Sequence, residues 1–190
     1  MAINPIKRQR DNFEGLWLNG IILLSKSKVS RSSRGGPADE ITFLTKRMIL
    51  EIEKNLELLR KPSQLVEEFN DELKTLVLNM KETMKALKGV GLAASQVKVF
   101  KRIIVVEVWG DNIVMINPVI LSFNQKETFS DESCLSIPNK YLRIKRWSEV
   151  RVSFSDINGQ KKEMALRDLS ARIFQHELDH LNGILIIDRI

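Results

Sequence analysis

The sequence is poor in several residue types, and each shortage excludes a class of protein. Its 190 residues include a single cysteine, so no disulfide framework within the chain holds the fold. The longest apolar runs, such as residues 21–24, are far shorter than the ~20 residues that a membrane-spanning helix needs. No small-residue cleavage site follows that run, so a secretory signal peptide is not expected. Apolar residues make up 43% of the chain, which is enough for one buried core.

The net charge of +6 is concentrated at one end of the chain. Residues 1–47 carry nine Lys and Arg against four Asp and Glu, whereas the remaining 143 residues carry 21 against 20. A basic surface for a phosphate backbone would therefore have to lie in the N-terminal extension. For the body of the protein we expect no specific nucleic-acid partner and no membrane partner.

The first 47 residues differ in composition from the rest. Residues 25–37 are rich in Ser, Arg and Gly without apolar periodicity, which is typical of a linker. The apolar pieces 16–18 and 21–24 favour either a short helix or docking onto the body. Three interpretations stay open for the extension: a flexible appendage, an organellar targeting segment, or non-native upstream sequence. We place the boundary of the compact domain at Met48.

From Met48 onward the pattern predicts an α+β fold with antiparallel sheets of short strands around a central helix near the C-terminus and one further helix N-terminal to it. Asn70 caps a predicted helix that runs to about Leu87 and ends at Gly89. A second helix is expected from Asp168 to about Asn182, with Gly183 in the left-handed cap position. The predicted strands are 102–108, 113–116, 119–123, 126–129, 150–154 and 161–166.

The last predicted helix carries the sequence His-Glu-Leu-Asp-His at residues 176–180. Two histidines four residues apart project from one helical face, so both imidazoles can reach one metal ion, with Glu177 beside them as a general base. His176 and His180 are the only histidines of the chain, and Cys134 is its only cysteine. A metal held by these three side chains keeps a position open for water, which is typical of a catalytic site.

Three other interpretations of these residues stay open at this point. The histidines could be solvated on an ordinary helix, and Cys134 could be a small buried hydrophobic residue. A structural site is also conceivable if a carboxylate such as Glu132 or Asp179 supplies a fourth ligand.

Three motifs in order make the chain resemble the peptide deformylase family over about residues 48–190. Residues 89–96 (GVGLAASQ) match the first motif, and residues 175–180 (QHELDH) match the third completely. Residues 132–136 (ESCLS) match the second motif except at Ser133, where the family has glycine. The resemblance implies a metallohydrolase acting on a linear amide, which removes the N-formyl group from the formylmethionine of nascent polypeptides and releases formate.

The resemblance also implies roles for individual residues. Cys134, His176 and His180 would bind a divalent metal, natively Fe²⁺, with Zn²⁺, Ni²⁺ or Co²⁺ able to replace it. Glu177 would be the general base, and Gln96 and the backbone N–H of Leu135 would stabilise the oxyanion. The substrate-binding residues would be Val90, Gly91, Ser133, Leu169 and Ile173.

The expected setting is the cytoplasm of a bacterium or of a phage-infected host, with organellar targeting by residues 1–47 as the alternative. We expect a monomer that meets the ribosome only transiently. We expect a minimal bacterial-type form without the C-terminal helix of typical bacterial members, of the kind that a phage could carry. Two other functions stay open: an endopeptidase, because His-Glu-x-x-His also serves zinc proteases, and a ribosome-binding or nucleic-acid-binding module that uses the basic extension.

Two departures from the family pattern affect the expected site. Ser133 would be strained if its backbone needed a positive φ angle. Tyr141 stands where many members have an arginine, which would change contacts to the outer residues of the substrate. Arg146 is retained, and we expect it to pair with Glu132 and to support the loop of Cys134.

Overall fold

The computed structural model describes residues 48–190 and the backbone of two short strands, β1 (Trp17–Leu18) and β2 (Ile21–Ile22). These two strands pair antiparallel, so the expectation of a short helix there is wrong. The predicted linker, residues 25–37, lies outside the described residues. Within the described part of the chain, no helix is long and apolar enough to cross a membrane.

A five-stranded antiparallel sheet forms the centre of residues 48–190. Its strand order is β3-β4-β5-β8-β9, so that β3 and β9 are the edge strands. Strands β6 and β7 pair with each other as a separate antiparallel hairpin. The bounds are β3 Gly91–Ala93, β4 Ile103–Val108, β5 Asp111–Phe123, β6 Glu127–Cys134, β7 Ile137–Trp147, β8 Glu149–Ser155 and β9 Lys161–Arg167.

Three α-helices accompany the strands: α1 (Leu56–Leu59), α2 (Asp71–Ala86) and α3 (Asp168–Leu181). The side chain of Asn70 accepts a hydrogen bond from the backbone N–H of Leu73, so the predicted N-cap of α2 is confirmed. Two 3₁₀ turns, Ala94–Val97 and Ile186–Asp188, follow β3 and α3.

The sheet buries apolar side chains on both faces. On one face, Val106 and Val152 pack against Phe174 of α3, and on the other, Val105 packs against Met80 of α2. A smaller apolar cluster, which includes Leu59 and Leu185, surrounds Cys134. Helix α3 also contacts β7, so it lies between the sheet and the hairpin.

The structure confirms the α+β fold class with antiparallel sheets and corrects several strands. The predicted strands 113–116 and 119–123 form one strand, β5, whose register shifts near Asn117, where φ is +52°. Strands β3 and β7 were not predicted, and β6 continues five residues beyond the predicted end at Phe129. Helix α3 begins at Asp168 as expected, and Gly183 has the left-handed conformation predicted for it, with φ of +73°.

Candidate active site

A cleft of about 530 Å³ opens between the edge strand β3, the β6–β7 hairpin and helix α3. Every site residue that the sequence predicted lines this cleft except His180, whose side chain lies deeper and is 1% exposed. The lining residues among those predictions are Val90, Gly91, Gln96, Ser133, Cys134, Leu135, Leu169, Ile173, His176 and Glu177.

The three candidate ligands converge at the base of the cleft. One ligand atom each from Cys134, His176 and His180 lies within 4.8 Å of the other two, and all three residues are buried. The Sγ atom of Cys134 lies 3.2 Å from Nε2 of His180. Two of these side chains come from consecutive turns of α3, and the third comes from the end of β6. The donors are the soft and borderline atoms that transition metals favour.

Glu132 orients one of the two imidazoles. Its Oε2 lies 2.9 Å from Nδ1 of His176, which leaves Nε2 of that ring for another partner. Burial alone would lower the pKa of His176, but its hydrogen bonds with Cys134 and Glu132 raise the pKa to about 10. A bound cation would have to displace that proton, as it does for any histidine ligand. Burial lowers the pKa of His180 well below its ordinary value, so this ring is neutral and ready to ligate.

Buried arginines surround the carboxylate of Glu132. Arg146 donates to both oxygens, at 3.0 and 2.9 Å, and Arg172 donates to Oε1 at 2.8 Å. Burial would raise the pKa of Glu132, but the hydrogen bonds from His176 and Arg146 outweigh it and hold the pKa far below its usual range. The expected pairing of Arg146 with Glu132 is therefore present.

Asp179 belongs to the same set of ion pairs. It accepts hydrogen bonds from Arg146 and from Arg189. Glu132 and Asp179 are the two carboxylates considered as a fourth ligand, and both are instead occupied by arginines. Among the described residues, the group that could hold a metal ion at the cleft is one thiol and two imidazoles, a set that would leave a coordination position open.

Glu177 is buried beside the ligand cluster with an unused oxygen. Among the described residues, nothing forms a hydrogen bond with its Oε2. Desolvation raises the pKa of Glu177 to about 7, in the range where a carboxyl group both accepts and donates a proton near neutral pH. The backbone of β3 passes close above it, because a Cβ atom added to Gly91 would lie 2.2 Å from Oε1 of Glu177. Gly91 is therefore required by a close approach rather than by an unusual φ angle.

Several contacts fix the side-chain amide of Gln96. Its Oε1 accepts from the backbone N–H of Ala93 at 2.9 Å, so Nε2 points the other way. Nε2 lies 3.3 Å from Oγ of Ser136 and 3.6 Å from Sγ of Cys134. The amide thus presents N–H groups to the region of the ligand cluster.

The walls of the cleft are partly apolar and partly exposed. Val90 is 44% exposed and Leu169 is 63% exposed, whereas Ile173 is buried next to Gly91. Tyr141 stands at the rim and is 77% exposed. Ser133 does not have a positive φ angle, so the backbone strain considered for it does not arise.

Arg172, Ser136 and Arg189 were not identified from the sequence as parts of this site. Arg172 carries the clearest signal, because it lies four residues before His176 and therefore on the same face of α3. Ser136 ends the second motif, which by itself gave it no role, and Arg189 has no comparable signal.

Comparisons with known proteins agree with this geometry. The family model described as "Polypeptide deformylase" matches residues 46–190. A peptide deformylase of Microchaete diplosiphon is 41% identical over 137 residues, which cover 70% of this chain and 73% of that protein. A peptide deformylase of Thermotoga maritima is 42% identical over 132 residues, which cover 70% of this chain and 80% of that protein.

Solved structures show the same likeness. The crystal structure of the Thermotoga maritima peptide deformylase has a TM-score of 0.73 at 39% identity and covers 75% of this chain and 97% of that one. A structure of the Acinetobacter baumannii peptide deformylase with Met-Ala-Ser bound has a TM-score of 0.72 at 33% identity and covers 76% and 99%. The family model, the curated relatives and the solved structures agree, so the chain belongs to the peptide deformylases, the hydrolases that remove the N-formyl group from nascent polypeptides.

Proposed function

We propose that the chain deformylates N-formylmethionyl peptides in the cleft, with Cys134, His176 and His180 holding a divalent metal ion and Glu177 moving the proton. The observation that carries this proposal is the convergence of three buried ligand atoms within 4.8 Å, next to a buried carboxylate oxygen. Family membership supplies the reaction, and the geometry suggests which side chains perform it.

The donor set fits such an ion. A thiolate and two imidazoles suit Fe²⁺, Zn²⁺, Ni²⁺ and Co²⁺ better than Mg²⁺ or Ca²⁺, and we propose Fe²⁺ as the native ion. The hydrogen bond between Glu132 and Nδ1 of His176 supports the fit, because metal-binding histidines usually pair their second nitrogen with a carboxylate or carbonyl oxygen. When bound, the ion supplies Lewis acidity at the base of the cleft.

Glu177 is the proposed acid and base. Its Oε2 accepts a proton from the attacking water and then delivers that proton to the amine nitrogen as the C–N bond breaks. Formate and a free amino terminus are the products, and the balance needs only water. The raised pKa of Glu177 supports both roles, since the carboxyl group exchanges a proton readily near neutral pH.

Gln96 and Leu135 are the proposed donors to the developing oxyanion. The fixed amide of Gln96 and the backbone N–H of Leu135 both border the cleft near Cys134. Donors held in place before the reaction stabilise charge without reorganisation, and the loss of one typically costs on the order of 10²–10³ in rate.

The edge strand β3 is the proposed binding strand for the substrate. Its position at the edge of the sheet lets an extended peptide add along residues Val90 and Gly91. Val90, Leu169 and Ile173 would enclose the methionine side chain, and Ser133 would contact the peptide from the hairpin side.

We assign catalysis to residues 48–190 and none of it to residues 1–47. Among the described residues, those that line the cleft all belong to the former range. We further propose Fe²⁺-dependent action in the cytoplasm as a monomer, on nascent chains met transiently at the ribosome.

The test measures two products from one preparation. A formyl-Met peptide and unfolded casein are each incubated with the enzyme after anaerobic purification, and formate and new peptide termini are quantified. We expect formate release that is lost with a chelator and restored by Fe²⁺, without cleavage of casein. Cleavage of casein without formate release would instead support an endopeptidase and contradict the proposal.

A further inference from the structure

A chain of ion pairs leads from the ligand His176 to the C-terminal turn of the protein. Nδ1 of His176 contacts Glu132, whose two oxygens are held by Nε and Nη2 of Arg146. The third nitrogen of the same guanidinium, Nη1, donates to Oδ2 of Asp179. Arg189 closes the chain by donating to both oxygens of Asp179. All its members are buried except Arg189, whose side chain is 39% exposed.

Arg146 couples the two carboxylates because each of its three guanidinium nitrogens donates a hydrogen bond to one of them. One side of its planar guanidinium grips Glu132, and the remaining nitrogen grips Asp179, so a shift of either carboxylate turns the whole group. The orientation of Glu132, and through it of His176, therefore depends on where Asp179 is held.

Arg189 holds the outer side of Asp179. Among the described residues, the Oδ1 atom of Asp179 has Arg189 as its only hydrogen-bond partner. A second cleft of about 260 Å³, lined by Arg146, Asp179 and Arg189, lies next to this pair. Without the guanidinium of Arg189, water in that cleft would compete for the carboxylate, because a buried charge that loses its partner seeks solvent.

The backbone that carries Arg189 is itself fixed near the ligand cluster. Leu185 and Ile186, in the turn before it, pack in the apolar cluster that contains Cys134. Asp188 accepts from the backbone N–H of Leu185 and pairs with Arg60 at the surface. Arg189 is therefore presented to Asp179 from a rigid turn.

We infer that Arg189 is a positioning residue for the metal site, which acts on His176 through Asp179, Arg146 and Glu132. The inference rests on the proposed function, because it assumes that His176 is a ligand. Partners that orient a ligand typically change metal affinity by about 10–100-fold when removed. Arg189 acts through three other side chains, so we expect its removal to weaken metal binding by about 10-fold, the lower end of that range.

The test compares Arg189→Ala with Arg60→Ala. Both variants remove an arginine that holds the same C-terminal turn, but only Arg189 belongs to the chain of ion pairs. Co²⁺ affinity is measured by competition with a chelator, the visible spectrum of bound Co²⁺ is recorded, and the Tm of each metal-free protein is determined. We expect weaker Co²⁺ binding and an altered spectrum for Arg189→Ala only, with similar small decreases in Tm for both.

Equal Co²⁺ affinity and spectra in the two variants would overturn the inference and leave Arg189 with a merely structural role. If Arg189→Ala does not fold, Arg189→Lys is measured instead, because it keeps the charge but not the two-point contact. We expect its Co²⁺ affinity to be intermediate. A Co²⁺ affinity equal to that of the wild type would overturn the inference. The variant Cys134→Ala distinguishes a failure of this inference from a failure of the proposed function. If Cys134→Ala binds Co²⁺ as well as the wild type does, the proposed ligand set fails, whatever Arg189 does.

Discussion

Helix α3 and the β6–β7 hairpin supply the ligand cluster, and they are held in place in different ways. Helix α3 is anchored by apolar side chains such as Phe174 and Leu181, which are fully buried against the sheet. The hairpin lies outside that sheet and exposes the side chains of Phe129 and Tyr141. The apolar contacts at its end, around Cys134, reach the C-terminal turn rather than α3.

Polar side chains join the hairpin to the helix. Glu132 contacts His176, Arg146 contacts Asp179, and Arg172 donates to the backbone carbonyls of Ile144 and Thr128. Gln175 adds two hydrogen bonds with the backbone of Trp147. The distance between the thiol and the imidazoles therefore depends on these directional bonds together with the apolar packing of Trp147, whereas the spacing of the two imidazoles depends on the helix. Substitutions in the helix and in the hairpin should therefore affect different properties of the protein, mainly turnover in the first case and stability in the second.

The largest effect is expected for Glu177→Gln, on the helix side. Because all three ligands remain, metal content should stay at the wild-type level, while turnover should fall by about 10²–10⁴-fold through the loss of the proton carrier. Formate release and metal analysis on the same sample measure the two quantities. Glu163→Gln, at an exposed ion pair on β9, is the control. Turnover close to that of the control would remove Glu177 from the chemistry.

Compared with Glu177→Gln, the variant Glu132→Gln on the hairpin side is expected to reduce turnover less and to reduce stability more. The change leaves Arg146 and Arg172 without their shared carboxylate in a buried position, and breaking a buried pair costs about 3–5 kcal/mol. The free energy of unfolding of the metal-free protein in urea measures this cost. Glu163→Gln should cost at most about 1 kcal/mol, because its pair is exposed. Equal values for the two variants would mean that the ion pairs do not hold the hairpin.

The smallest effect is expected for removal of residues 1–47. The cleft lining that the structure describes lies within residues 88–177, so kcat/KM for a formyl-Met peptide should be unchanged from that of the full chain. Steady-state kinetics on both proteins provide the measurement. A clear decrease in kcat/KM for the shortened protein would show that the extension takes part in substrate binding or catalysis, and the domain assignment would have to be revised.

The sequence predicted the helix side better than the hairpin side, for a physical reason. The Asn70 cap, the end at Gly183 and the spacing of His176 and His180 are local features, fixed within one or two helical turns. Strand β7 was missed because its pattern is polar: Arg146 occupies a buried position that apolar periodicity assigns to the surface. Its burial is tolerable only because Glu132 and Asp179 neutralise it, and those partners are set by the tertiary fold.

The family motifs pointed to the three side chains that the structure brings together, but not to the reasons for every residue around them. Gly91 was expected only as a substrate-binding residue, and the structure shows that its lack of a side chain leaves room for the carboxylate of Glu177. The concern about Ser133 depended on a φ angle that the sequence does not reveal. Both cases turn on distances and angles within the folded chain, which residue types alone do not specify.

The solitary thiol of Cys134 gives the protein a built-in reporter. Because no other cysteine exists in the chain, any thiol-specific reagent labels this position alone, and the extent of labelling counts one group per molecule. The sulfur lines the cleft and contacts the imidazole of His180, so a reagent that enters the cleft reaches it at the candidate ligand cluster. The alkylation rate thus measures how accessible the base of the cleft is, without an introduced probe.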